Sequence, residues 1–131
     1  MIRIKSFLKL IFHTSILFLI IISLFQGSLL GFIFYGDLGR QLDLIDNPFG
    51  TTINHFIYYF YVSLLGFLLY LKSKKFQKLF YGLFLLAITL EVAQYFVPRR
   101  AFEINDLIGN VLGVLVAYSV VKIYLIFIKN E

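Results

Sequence analysis

The sequence of 131 residues contains no cysteine, one methionine and two prolines. The absence of cysteine excludes disulfides, thiol nucleophiles and cysteine-ligated metals. Charge is also scarce, since only 15% of the residues are charged, with seven acidic residues against twelve basic ones. The basic residues flank apolar segments instead of forming one patch, so the formal net charge of +5 predicts no nucleic-acid partner.

Apolar residues are abundant: 60% of the chain is hydrophobic, 19% is aromatic, and the mean hydropathy is +0.89. Soluble domains are only about 45–50% apolar, so the composition predicts an integral membrane protein of one domain, residues 1–131. Apolar blocks near the length of about 20 residues that crosses a bilayer predict four transmembrane helices, at about 7–34, 54–71, 76–96 and 105–128. The predicted fold class is all-α, a polytopic membrane protein whose four helices form an antiparallel bundle.

Basic residues predict the orientation of this bundle. Arg3 precedes the first helix, Lys72 and Lys75 join the second to the third, and Lys129 follows the fourth, whereas the connection that contains Asp43 is acidic or mixed. Because cytoplasmic loops are enriched in Lys and Arg, we expect both termini in the cytoplasm. The first apolar run is interpreted as an uncleaved helix, since it is too long for a signal peptide and no A-x-A-like site follows.

Polar side chains collect at the predicted outer end of the bundle: Asn54, His55, Glu91, Gln94, Asp106 and Asn110. Glu91 and Gln94 are three residues apart and Asp106 and Asn110 four apart, so each pair shares one helix face. Small and polar residues in 106–117 form a stripe that is expected to pack on the third helix. This packing would bring Asn110 near Glu91 or Gln94 and would leave a polar pocket open to the outside.

Several of these residues also have a structural explanation. Glu91 lies inside the end of the third helix, where an unpaired charge costs about 2.5 kcal/mol or more. It therefore forms an ion pair with Arg99 or Arg100, or it belongs to a functional site. Asp106 would also interact favourably with the dipole of the fourth helix, and Asn110 can form an interhelical hydrogen bond.

The remaining candidate residues also have more than one interpretation. His55 can transfer protons near neutral pH, ligate a metal, or serve as an interfacial aromatic residue. Arg99 and Arg100 suit bidentate phosphate contact, or they anchor the interface. There is no H-E-x-x-H motif and no second histidine at this end, so no metal and no other cofactor is predicted. The predicted catalytic residues are Glu91, Asp106 and His55, and the predicted binding residues are Gln94, Arg99, Arg100 and Asn110.

The order of these residues resembles the VanZ-like family of small bacterial membrane proteins. The resemblance rests on Glu91-x-x-Gln94, Pro98-Arg99 and Asp106-x-x-x-Asn110-x-x-Gly113, preceded by His55-Phe56 and Tyr59. It implies a multi-pass protein of the bacterial cytoplasmic membrane and, by analogy with members that resemble the founding protein, an effect on susceptibility to the glycopeptide teicoplanin. One departure is that Thr51 and Thr52 replace the Asp-Lys pair that many members carry before the histidine.

Two functional classes follow from this sequence. In the first, the outer polar residues bind a lipid head group, a lipid-linked envelope precursor or a partner protein. In the second, the protein is an intramembrane enzyme that acts on a lipid-linked or phosphate-bearing substrate, with Glu91 as general acid or base. A transporter has less support, because four short helices without broken segments leave little room for alternating access unless the chain forms a homo-oligomer.

Overall fold

The computed structural model describes residues 2–42 and 44–129, with side chains for 4–42 and 44–128. Asp43 and the side chains of Arg3 and Lys129, on which part of the predicted orientation depends, lie outside the described residues. The described chain contains five helices and no strand. They are α1 (Ile2–Leu24), α2 (Leu29–Tyr35), α3 (Thr52–Leu69), α4 (Phe76–Gln94) and α5 (Ile104–Lys129).

Four of these helices, α1, α3, α4 and α5, are long and apolar enough to cross a membrane. Their most apolar segments have a mean hydropathy of 2.2 in α1 and 2.4 in α5, against 1.3 in α3 and 1.5 in α4. Many large apolar side chains of α1 and α5 are exposed, as expected of surfaces that contact lipid. The prediction of an all-α, polytopic membrane protein is therefore confirmed, while its orientation across the membrane stays a prediction.

The first predicted helix, at about 7–34, is wrong as a single span, because the structure divides this run into α1 and α2. Gly27 lies between them with a φ of 81°, a conformation that residues with a side chain rarely adopt. A Cβ at Gly27 would also lie 2.7 Å from the carbonyl oxygen of Leu38. Ser28 then begins α2, because its hydroxyl oxygen accepts the N–H of Gly31 at 2.9 Å.

α3 is the central helix, and it packs most extensively on α5. Away from the polar residues, the interior consists of fully buried apolar side chains, among them Val62 and Phe67 of α3, Ala87 of α4, and Val114 and Ala117 of α5. Lipid is as apolar as these side chains, so close packing has to hold the helices together.

The stripe of small residues on α5 provides this close packing, but its glycines face α3, not α4. A Cβ at Gly109 would lie 2.7 Å from the carbonyl oxygen of Thr52. A Cβ at Gly113 would lie 2.7 Å from the carbonyl oxygen of Phe56 and 2.8 Å from the backbone nitrogen of Phe60. The stripe was predicted to pack on the third transmembrane helix, which is α4. This prediction is wrong for its glycines, because the missing Cβ atoms let the backbone of α3 approach instead.

Candidate functional site

The start of α3, the end of α4 and the start of α5 meet at one end of the bundle, where side-chain hydrogen bonds join them. Among the described residues, six polar or charged side chains are buried, and five of these lie at this end: Ser23, Glu91, Gln94, Asp106 and Asn110. Burying such groups costs free energy unless they are hydrogen-bonded. Hydrogen bonds and close polar contacts join three of them, Glu91, Asp106 and Asn110, to each other and to two side chains of α3. The five residues form the polar cluster: Thr52, His55, Glu91, Asp106 and Asn110.

His55 connects the acidic groups of α4 and α5. Its Nε2 lies 3.3 Å from Asp106 Oδ2, and its Nδ1 lies 2.9 Å from Asn110 Oδ1. The amide nitrogen of Asn110 donates to Glu91 Oε2 at 3.1 Å. Because the amide nitrogen of Asn110 is directed at Glu91, its oxygen has to accept a hydrogen from His55 Nδ1. The polar cluster is therefore a continuous chain of contacts from one carboxylate to the other.

Both ends of this chain are also fixed. The hydroxyl group of Thr52 donates to Asp106 Oδ1 at 3.0 Å, and the backbone N–H of Glu103 donates to Glu91 Oε1 at 3.2 Å. Asp106 lies in the first turn of α5, where the helix dipole favours a negative charge. The carboxylates are thus held in place by the helices that carry them and by the turn between α4 and α5.

Glu91 is the most deeply buried acidic group of the polar cluster, with 0% of its surface exposed. Its carboxylate accepts two hydrogen bonds, and its Oε2 lies 3.9 Å from His55 Nδ1. In the described part of the chain, neither Arg99 nor Arg100 forms an ion pair with it. The alternative that explained Glu91 by an ion pair with one of these arginines is therefore wrong, because hydrogen-bond donors and His55 occupy its carboxylate.

Arg100 has a partner on α1. Its terminal nitrogen donates to the carbonyl oxygen of Ile22 at 2.7 Å, which satisfies a carbonyl group in the last turn of that helix. Burial lowers the pKa of the Arg100 guanidinium below its ordinary value, and the negative charges of Glu91, Asp106 and Glu103 oppose this shift. Arginine stays charged at any physiological pH, so Arg100 places a positive charge between α1 and the polar cluster.

A polar cavity of about 250 Å³ opens beside the cluster. Gln94 belongs to its wall and is only 4% exposed, yet its side-chain amide has no hydrogen-bond partner among the described residues. Arg99 is exposed and has a positive φ of 60°, which is uncommon for a residue with a side chain. The cavity is lined by Gln41, Gln94, Arg99, Arg100, Ala101, Glu103 and Asp106.

A second, apolar cavity of about 90 Å³ lies on the other side of Arg100. Leucine and isoleucine side chains from the end of α1 and the start of α2 form much of its wall. His55, Tyr58 and Tyr59 of α3 contribute the aromatic part. Arg100 and Gln41 line both cavities, so the apolar and polar cavities are neighbours.

The family model described as VanZ/LLP1 matches residues 3–127, which is almost the whole chain. The chain belongs to the VanZ/LLP1 family. Neither a curated protein nor a solved structure matches it. The family assignment and the four apolar helices together identify a multi-pass membrane protein.

All seven residues predicted for the site of this VanZ/LLP1 protein lie at the same end of the bundle. His55, Glu91, Asp106 and Asn110 belong to the polar cluster, while Gln94, Arg99 and Arg100 line the polar cavity together with Asp106. Glu91, in contrast, lines neither cavity. The catalytic and binding roles of these residues stay predictions.

Asn54, also expected among the outer polar residues, is not part of the cluster. Its side chain binds the backbone of Leu42 and Leu44, and so it fixes the segment that leads into α3. Sequence reasoning overlooked Thr52 as a partner of Asp106. Its position three residues before His55 was a signal, because that spacing places both side chains on one face of α3.

Within the part of the chain that the structure describes, no three His, Asp or Glu side chains are grouped so that they could hold a metal ion. His55 instead uses both ring nitrogens in contacts with Asn110 and Asp106.

Proposed function

We propose that this VanZ/LLP1 protein binds the head group of a membrane lipid or of a lipid-linked envelope precursor in the polar cavity. The observation that carries the proposal is that Arg99, Arg100 and the unpartnered amide of Gln94 line one cavity. Neither arginine forms an ion pair among the described residues, so both charges are available to an anion. Arginine matches the geometry of phosphate oxygens, and phosphate is the anion common to such head groups.

The opposite wall of the cavity narrows the choice of head group. Glu103 and Asp106 line the polar cavity together with the two arginines. Carboxylates accept hydrogen bonds and repel phosphate, so they favour hydroxyl or ammonium groups as neighbours. The preferred head group therefore carries a phosphate together with hydrogen-bond donors, as phosphatidylglycerol, phosphatidylethanolamine and sugar-phosphate lipids do.

With the orientation predicted from the basic residues, we expect this cavity at the outer face of the bacterial cytoplasmic membrane. Teicoplanin, to which the resemblance points, acts at that face. We therefore expect the bound head group to connect the protein with glycopeptide susceptibility, as the resemblance to VanZ-like proteins implies.

Native mass spectrometry of the purified protein in mild detergent tests head-group binding. The wild type should retain a phosphate-bearing lipid, and Arg99→Gln should lose it because the phosphate loses a cation. Arg40→Gln is the matched control, because Arg40 is also exposed but lines neither cavity and stacks on Tyr35 at 3.8 Å. Equal lipid retention by all three proteins would refute the proposal.

A second candidate is an intramembrane enzyme that acts on the same phosphate-bearing or lipid-linked substrate. The observation that favours it is the contact between His55 and Asp106, since His55 lines the apolar cavity and Asp106 the polar one. An ionisable pair at this junction can transfer protons to or from a bound substrate. Glu91 lines neither cavity, so its part in such a reaction would be to orient His55 through Asn110.

Lipid profiles of cells separate the two candidates. Cells that lack the protein are complemented with the wild type or with Glu91→Gln at matched expression, and their lipids and lipid-linked precursors are compared by mass spectrometry. If one species accumulates in the deletion and with Glu91→Gln but not with the wild type, the enzyme is supported. If the profiles are identical while Glu91→Gln changes teicoplanin susceptibility, the protein acts by binding.

A further inference from the structure

The polar and apolar cavities adjoin, so together they suit one ligand that has a polar part and an apolar part. Arg100 and Gln41 form a wall common to both. The contact of 3.3 Å between His55 Nε2 and Asp106 Oδ2 crosses from the apolar cavity to the polar one. A molecule that occupied both cavities would therefore pass Arg100 and the His55–Asp106 pair.

The apolar cavity has the surface and the size for a short piece of hydrocarbon. Leu19 and Ile22 of α1, Leu29 and Leu30 of α2, and Leu42 form much of its wall. Its volume of about 90 Å³ accommodates about three methylene groups, if each takes about the 30 Å³ of a water molecule. It can hold the beginning of an acyl chain but not the whole chain.

Two buried polar groups in the walls of these cavities have no partner. Tyr59 lines the apolar cavity and is 2% exposed, and its hydroxyl group makes no hydrogen bond among the described residues. Arg100 lines both cavities, and its Nε is likewise buried without a hydrogen-bond partner among the described residues. Buried polar groups nearly always find a hydrogen-bond partner, so these groups indicate where a ligand supplies the missing atoms.

We propose that the ligand is a phosphate-bearing lipid whose head-to-chain junction lies inside the protein. Its head group occupies the polar cavity, the first carbons of one chain occupy the apolar cavity, and an ester or ether oxygen at the junction accepts the hydroxyl hydrogen of Tyr59. This inference rests on the proposed function and adds that the protein withdraws part of the chain from the bilayer.

The division of α1 from α2 makes room for this chain. With a continuous helix through 25–28, the residues at the end of α1 and the start of α2 would not face one cavity. A chain gains little free energy when it moves from lipid into an equally apolar cavity. The polar contacts on either side of the junction therefore determine where the chain lies, and the cavity only has to admit it.

Photo-crosslinking in nanodiscs of phosphatidylcholine tests the location of the chain. The probe is phosphatidylglycerol that carries a diazirine on the first carbons of one acyl chain, and cross-linked residues of the full-length protein are found by peptide mass spectrometry. The expected cross-links lie in 19–30 and at Leu42, around the apolar cavity. A Ser23→Leu substitution fills part of the cavity, so the acyl chain and the new side chain would overpack it. The yield of these cross-links should therefore fall about tenfold.

Matched controls distinguish a filled cavity from a damaged protein. Ser119→Leu makes the same change on an exposed face of α5 and should leave the cross-links unchanged. Tyr59→Phe removes only the unpartnered hydroxyl and should weaken retention of the probe severalfold. Ser63→Ala removes another buried, unpartnered hydroxyl, which lines neither cavity, and should have no effect.

The outcomes separate this inference from the proposed function. If the probe is retained in an Arg99-dependent way but cross-links equally to lipid-facing residues of α1 and α5, with or without Ser23→Leu, the head group is bound and the chain stays in the bilayer. That result overturns the inference alone. If no phosphate-bearing lipid is retained by the wild type, the proposed function fails, and the inference fails with it.

Discussion

Gly113→Ala tests whether the close contact between α3 and α5 holds the polar cluster together. The added Cβ would lie 2.7 Å from the carbonyl oxygen of Phe56, 2.8 Å from the backbone nitrogen of Phe60 and 2.9 Å from the Cβ of Tyr59. Real Cβ atoms essentially never come within 3.0 Å of such neighbours. None of the three atoms is the end of a flexible side chain, so the two helices have to separate.

The expected cost can be estimated from two opposing effects. Forcing an extra methyl group into a packed interface costs about 1–3 kcal/mol, and three backbone or Cβ contacts place this site at the upper end of that range. Alanine has a helix propensity better than that of glycine by about 0.8–1 kcal/mol. The net destabilisation is therefore about 2 kcal/mol.

Gly82→Ala is the matched control, because a Cβ at Gly82 on α4 meets no atom within 4 Å. It should stabilise the protein by about 0.5–1 kcal/mol through helix propensity alone. Both variants are unfolded by increasing amounts of SDS in mixed micelles, and helix content is followed by circular dichroism. If Gly113→Ala is as stable as Gly82→Ala, then the contact between α3 and α5 is not the close one described.

Two further predictions concern the charged residues. Arg100→Gln removes the guanidinium donor to the Ile22 carbonyl oxygen and should destabilise the protein by about 1–3 kcal/mol. Amide hydrogen exchange should then increase at the end of α1. Unchanged exchange there would contradict the contact of 2.7 Å. Glu91→Gln removes the anion that orients Asn110, so the amide can reverse and donate to His55 Nδ1. Nitrogen-15 spectra of His55 should then show Nδ1 without its hydrogen, and a spectrum identical to that of the wild type would refute the chain of contacts.

The membrane helices could be predicted from the sequence because lipid imposes a simple condition on it. A segment that crosses the bilayer has to be long, apolar and internally hydrogen-bonded, and the runs that meet this condition became α1, α3, α4 and α5. The division after α1 was missed because Gln26, Gly27 and Ser28 hardly lower the hydropathy of a long apolar run. Only the positive φ of Gly27 shows that the helix cannot continue there.

The candidate site could be predicted in part, since helix periodicity places residues on faces but does not pair the faces. The spacing of Asp106 and Asn110 correctly gave one face of α5, and Asn110 does reach Glu91 on α4. Gly109 and Gly113 of the same stripe were expected to meet the same helix, but they face α3. A stripe of small residues permits close approach on any side, so the sequence alone could not identify the partner helix.

Thr52 explains how the polar cluster accommodates its departure from the VanZ-like pattern. Many members that this chain resembles have lysine where Thr52 stands, three residues before the histidine. Here the Thr52 hydroxyl, a neutral donor, donates to Asp106 Oδ1 at 3.0 Å. In the described residues His55 is then the only basic side chain in ion-pair contact with Asp106 and Glu91. Thr52→Lys would therefore add to the polar cluster a fixed positive charge that this protein lacks there.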